Sequence, residues 1–247
     1  MKLKPLIQNM TQSLELPPQP AKLDLKKLNR KFDKLHPKDV LAWCVVNIPA
    51  RLVQVSDFNV DDLLITDLLY RQLRSARPVP VLFLDTLHHF PETLNLVAKA
   101  QALYNLDLRV YQTLEAQTRQ QFASRHGEAL WNRDPHTFQT LTKEEPLQRG
   151  LTELKAIAWI TARRRDQSKQ LANLPIFELD EQQRLRVNPL ANWTGRETWA
   201  YAFEHDLIYN PLHDQGYPII GDEPLTVPAT DLEQAGYQVR SECGLIG

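Results

Sequence analysis

Between residues 52 and 160 the chain alternates short apolar runs with longer stretches of helical periodicity, and this alternation constrains the fold more than any other feature. The runs at 52–55, 79–84, 106–111 and 156–160 read as strands, and the segments at 60–73, 92–103 and 114–124 as helices. Strands separated in this way by helices form parallel βαβ units covered by helices on both faces. The expected fold is therefore α/β, a Rossmann-like, mostly parallel sheet. Ligands on such sheets bind beyond the carboxyl ends of the strands, which directs attention to residues 56–59, 85–89 and 162–167. Upstream, a charged helix is expected over 24–35 and a more apolar one over 40–47. Residues 1–22, with Pro5, Pro17, Pro18 and Pro20 among polar neighbours, read as a loose N-terminal arm.

Composition then excludes several classes. With 247 residues, of which 43% are hydrophobic, the chain can bury a substantial core as one domain. A net charge of -1 provides no basic field, so nucleic acid is not expected as a partner. No apolar run approaches the ~18 residues of a membrane span, and the opening MKLKPLIQNMTQSLELPPQP lacks the continuous apolar stretch of a secretory signal, so a cytoplasmic location is expected. The two cysteines, Cys44 and Cys243, cannot supply a disulfide framework, a Cys-only metal site or an iron–sulfur cluster. Cys44, beside Trp43, Val45 and Val46, reads as a small buried apolar side chain. Cys243, the fifth residue from the end, is either an inert terminus or the reagent. His88, His89 and Glu92 straddle a loop and a helix start with Pro91 between them, so no metal is assigned.

Seven stretches in chain order carry a resemblance: VSDFNVDD at 55–62, LDTLHHFPET at 84–93, KEEPLQRGL at 143–151, WITARRRDQS at 159–168, VNPLANW at 187–193, YNPLHDQGYPIIG at 209–221 and ECGL at 242–245. Together they resemble the ordered motifs of the phosphoadenylyl-sulfate (PAPS) reductase family. The resemblance implies an adenine-nucleotide α-hydrolase-like fold, with an α/β domain over 23–228 and a flexible C-terminal tail over 229–247. It implies no cofactor, and a chemistry in which Cys243 attacks the sulfur of PAPS, leaving an S-sulfocysteine that thioredoxin or glutaredoxin resolves. It also matches Ser56 to the nucleotide loop and Lys143, Arg149, Arg164 and Arg165 to positions that hold substrate anions, and it admits a homodimer. Forked cationic donors suit a ligand that carries both a 3′-phosphate and a sulfated 5′-phosphate.

The chain also departs from the pattern. It has no glycine before Gly127, whereas phosphate loops use glycine to bring backbone N–H groups close to the anion. Asn59 and Leu87 stand where the family has glycine; Asn59 can adopt positive φ more readily than most residues, and Asp57 and Asp61 are expected to repel a polyanion. Val227 and Ile246 replace the family's usual Arg and His. These departures set a second expectation beside the reductase, a family member that binds a nucleotide or a protein partner without reducing sulfate. Asp222 and Leu225 occupy positions that are cysteine in cluster-bearing relatives acting on adenylyl sulfate, which favours PAPS.

Overall fold

The computed structural model describes residues 22–48 and 50–229. The arm expected at 1–22 and the tail expected at 229–247 lie, apart from their junction residues, outside the described residues, and Cys243 lies outside them too. Helices α1 (Leu25–Phe32) and α2 (Pro37–Asn47) lead into β1 (Leu52–Val55), α3 (Val60–Asp67), β2 (Val81–Leu84), α4 (Pro91–Tyr104) and β3 (Leu108–Tyr111). A helical stretch follows: α5 (Arg119–His126), α6 (Leu130–Arg133), α7 (Pro135–Gln139) and α8 (Glu145–Glu153). The chain then returns through β4 (Ala158–Ile160), β5 (Phe177–Leu179), β6 (Leu185–Val187) and α9 (Gly195–Glu204).

The six strands are ordered β3-β2-β1-β4-β6-β5, all parallel except the β5–β6 pair. Alternating side chains serve the two faces. Val53, Val55, Leu82, Leu84 and Trp159 pack against Leu147 and Leu151 of α8. Val81 and Phe83 pack on the other side against Leu96, Val97 and Ala100 of α4, and Leu52, Ala158 and Ile160 join the core built with α2 and α3. The one polar residue within β1, Gln54, is buried but donates to the Asp62 carbonyl at 3.0 Å and to Thr66 Oγ1 at 3.0 Å, so no amide is left without a partner.

Several expected boundaries move for identifiable reasons. The second strand begins at Val81 rather than at 79, because Pro80 has no N–H to give to a ladder. The helix expected over 114–124 starts only at Arg119, where the Thr118 side chain caps it by accepting from Gln121 N at 3.2 Å. The antiparallel β5–β6 hairpin was not expected. Its strands are three residues each, and its turn is closed by Asp180, whose Oδ1 accepts from Arg184 N at 2.8 Å. No helix among the described residues is long and apolar enough to cross a membrane.

Because the chain runs outward from β1 to β2 and β3, then returns to the other side of β1 with β4, the strand order reverses between β1 and β4. A crevice opens at such a switch point, outside the carboxyl ends of the strands.

Candidate active site

Polar side chains at the strand ends make the turns that glycine was expected to make. After β1, Ser56 is fully buried and its Oγ accepts from Phe58 N at 3.1 Å, with Phe58 at φ 57°. After β2, Asp85 Oδ1 accepts from Leu87 N at 2.9 Å, with Leu87 at φ 66°. In both loops a side-chain oxygen catches the N–H two residues on and holds a non-glycine residue in the left-handed region, a conformation that costs roughly 1–2 kcal/mol for an L-residue. The positive φ therefore falls on Phe58, not on Asn59. Asn59 is extended at φ −71° and caps α3 by accepting from Asp62 N.

The loop after β4 separates the three arginines. Arg163 pairs with Glu178. Arg164 faces the crevice, ion-paired to Asp61 at the start of α3 and to Asp166 Oδ1 at 2.8 Å, while its backbone N donates to Gln167 Oε1 at 3.0 Å. Asp166 in turn accepts from Gly195 N at 2.8 Å, at the N-terminus of α9. A Cβ on Gly195 would come within 3.1 Å of the Arg164 guanidinium, so glycine lets the guanidinium lie close against the start of α9. Arg165 turns the other way. It donates to the Leu174 carbonyl at 2.8 Å and to Asn192 Oδ1, and it lies 3.5 Å from Asp33, tying its loop to the segment between α1 and α2.

Asp61, Arg164 and Gln167 line a cleft of about 240 Å³ with Asn59, Trp199 and His213. His213 Nδ1 lies 2.8 Å from the Tyr217 carbonyl and so carries the proton, and the ring meets Trp199 edge-on at 5.1 Å. Burial holds the His213 pKa below the ordinary histidine value. Burial also raises the pKa of Asp61 against the pull of Arg164. The expected repulsion by Asp61 is thus corrected: its charge is spent on Arg164.

A second charged centre lies where the β1 and β2 ends meet the approach to α8. Lys143, in a π-helical turn over Thr140–Glu144, reaches Asp222 Oδ2 at 3.1 Å. Asp222 Oδ1 accepts from Thr86 Oγ1 at 2.5 Å, and His89 lies 4.0 Å away. Burial raises the pKa of Asp57 while the nearby ammonium of Lys143 lowers it. Asp62, fully enclosed and accepting from Asp57 N at 2.9 Å, is pushed well above the ordinary carboxylate value by burial and by Asp57.

Ser56 and Arg164 therefore follow the ends of the neighbouring strands β1 and β4, and Lys143 approaches the β2 end from its π-helical turn through Asp222 and Thr86. Arg149 does not join them. It pairs with Glu145 at 2.7 Å, donates to the Gln112 carbonyl at 2.6 Å, and covers the Tyr111 ring on an open groove beside the edge strand β3. Cys44 is completely buried and desolvation pushes its thiol pKa up, so it is core filler.

The family model of the phosphoadenosine phosphosulfate reductase domain matches residues 51–228, the span that contains both charged centres. The chain belongs to this family. It is 41% identical over 233 residues to a phosphoadenosine phosphosulfate reductase of Emericella nidulans, covering 91% of this chain and 76% of the relative. Over 230 residues it is 37% identical to an adenosine 5′-phosphosulfate reductase of Salinibacter ruber, covering 90% and 88% of the two chains. Among solved structures, the PAPS reductase of Candida auris in a phosphate complex superimposes with a TM-score of 0.75 at 36% identity, over 87% of this chain and all of that one. The FMN adenylyltransferase of Candida glabrata, at a TM-score of 0.54 and 12% identity over 90% of this chain and 71% of that one, shares the fold alone. The phosphoadenosine phosphosulfate reductase family thus accounts for the expected α/β, adenine-nucleotide α-hydrolase-like architecture.

Sequence reasoning found the arginine triplet and Lys143 but not the partners that aim them. Asp61 and Asp222 were read as a repulsive charge and as a replaced ligand position. Gln167 and His213 fall in quoted motifs without being placed together, and Trp199 lies between motifs, in a segment that reads as packing. The advance signal for Gln167 was its place after a strand and for His213 its place in the 209–221 motif, and Trp199 had none.

Proposed function

We propose that this protein reduces PAPS to sulfite and adenosine 3′,5′-bisphosphate in sulfate assimilation, with Cys243 as nucleophile. The thiolate of Cys243 attacks the sulfur of the sulfate group, an S–S bond forms, and the sulfur–oxygen bond to the 5′-phosphate breaks with its electron pair leaving on the bisphosphate. A thiolate of thioredoxin or glutaredoxin then attacks Cys243 Sγ and expels sulfite, and its second thiol resolves the mixed disulfide, so the two electrons come from the dithiol. Such donors fit a cytoplasmic setting. The observation that carries this reading is the pair of cationic groups, Arg164 and Lys143, at the strand ends of a reductase-family domain. Arg164 meets a substrate anion directly, Lys143 meets the other, Ser56 shapes the nucleotide loop, and Arg165 holds the loop that presents Arg164. Arg149 acts from the β3 side, through Gln112 at the end of that strand.

Relatives named adenosine 5′-phosphosulfate reductase support a second substrate reading, adenylyl sulfate, for the same thiol chemistry. One experiment tests both. Purified protein incubated with either nucleotide and no reductant is expected to gain one sulfonate on Cys243 with PAPS, seen by mass spectrometry and absent in Cys243→Ser. Sulfonation by adenylyl sulfate alone would exchange the substrate, and modification at Cys44 would overturn the nucleophile.

A further inference from the structure

Asp222 is the point where three separate segments are joined. Its backbone bridges to His89 after β2, and the next residue, Glu223, donates its N–H to the His88 carbonyl at 2.7 Å. On its far side the Asp222 carbonyl accepts from Leu225 N at 3.0 Å and from Thr226 Oγ1 at 2.8 Å. The side chain is 1% exposed and reaches across to Lys143 of the π-helical turn. Burial opposes the charged carboxylate, but the Lys143 ammonium, the Thr86 hydroxyl and His89 outweigh it and hold its pKa below the ordinary value. The carboxylate is therefore ionised and fixed in direction before any ligand arrives.

Lys143 has a long, flexible stem, and an ammonium on such a stem loses rotamer entropy when it is held. Among the described residues Asp222 is in contact with it and Asp57, just after β1, lies near it, with His89 beside both. Only Asp222 is itself locked by a side-chain donor, Thr86, and by backbone bonds on both sides. We propose that Asp222 is a positioning residue: its carboxylate, oriented by the Thr86 hydroxyl, holds Lys143 Nζ at the crevice between the β1 and β2 ends, so that a substrate anion meets an ammonium already in place. This rests on the reading that Lys143 contacts the substrate, and it adds the group that makes Lys143 competent.

A double-mutant cycle separates positioning from general support of the fold. The wild type, Asp222→Asn, Lys143→Met and the double variant are assayed for sulfite release from PAPS with a thioredoxin system. Asp222→Asn is expected to raise KM about tenfold with kcat within about threefold, because an anion grip shared by ground and transition states is lost. In the Lys143→Met background the same substitution is expected to change KM by less than about twofold. An equal loss in both backgrounds would make Asp222 a structural staple only and overturn the proposal. Thr86→Val, which keeps the ion pair and removes its orienting hydroxyl, runs through the same cycle with a smaller effect and replaces Asp222→Asn should that variant not fold. Competitive acetylation read by mass spectrometry supplies a measure that needs no substrate. Lys143 is expected to label at least about fivefold faster in Asp222→Asn than in the wild type. Unchanged labelling overturns the proposal even if the wild type releases no sulfite, a result that would by itself defeat only the substrate reading.

Discussion

The loop after β1 and the loop after β4 face each other across the crevice with opposite chemistry. The first runs Ser56-Asp57-Phe58-Asn59 into the acidic first turn of α3, with Asp61 and Asp62; the second runs Ala162-Arg163-Arg164-Arg165. Taken alone, the first repels a polyanion and the second attracts one. In the fold each neutralises part of the other, through Asp61 and Arg164, so the crevice presents paired charges rather than a bare cationic patch. An entering anion must compete with carboxylates already on the arginine. On the proposed reading selectivity comes from geometry, because only a ligand whose two anionic groups reach Arg164 and Lys143 replaces what it displaces.

The most direct way to break this comparison is to remove the cation. Arg164→Ala is expected to weaken PAPS binding by about 1.5–3 kcal/mol, roughly ten- to hundredfold, the value of a charge-assisted contact. Arg165→Ala, whose guanidinium is committed to Leu174, Asn192 and Asp33, should change affinity by less than about threefold and lower the melting temperature instead. Titration calorimetry on both variants decides it. Equal losses in affinity would mean that both arginines reach the ligand.

A smaller effect sharpens the acidic side. Asp62 and Asp57 have pKa values raised mainly by burial, so the folded state holds their protons more tightly than the unfolded chain does. Their contribution is fully present below the unfolded value of about 4 and is lost as pH rises through the raised folded values. Stability from this pair should therefore fall with rising pH above that point. Asp62→Asn keeps an acceptor for Asp57 N and removes the charge. It should unfold at higher urea at neutral pH than the wild type and show a flatter dependence above the ordinary carboxylate range, with thermal and urea midpoints as the readouts. A steeper dependence in the variant would reverse the sign and remove burial as the cause.

The parallel sheet was legible in the sequence because its strands are short runs of three or four residues, fully buried in β1, β2 and β4, set between longer helical periods. The site was legible only as a set of strand ends. Which arginine faces the crevice depends on how the loop is tied: Arg164 N donates to the Gln167 side chain, and Arg165 N to the Ala191 carbonyl at 3.0 Å, a contact 26 positions away that no local pattern encodes. The β5–β6 hairpin escaped for a different reason. Three-residue strands carry too few alternations to read, and its turn uses Gln183 at φ 61° where a glycine or asparagine would have signalled it.

The smallest expected effect bears on the absence of glycine from the phosphate-side loops. Leu87 holds φ 66° with Asp85 as its partner, and its side chain packs against the cluster of Phe122, Leu130 and Phe138. Leu87→Gly removes a left-handed strain of roughly 1–2 kcal/mol, but it also gives up that packing and adds about 0.5–1 kcal/mol of unfolded-state entropy. These contributions nearly cancel, so the variant should unfold within about 1 kcal/mol of the wild type and bind PAPS within about twofold of it. Asn59→Gly should be as mild, because glycine replaces an asparagine cap at a cost of only a few tenths of a kcal/mol. A gain of tenfold or more in PAPS affinity from Leu87→Gly would show that the side chain obstructs the ligand. No gain means that an Asx-type turn closed by Asp85 presents the same backbone as a glycine, and that the loop after β2 differs from a glycine loop in composition and not in shape.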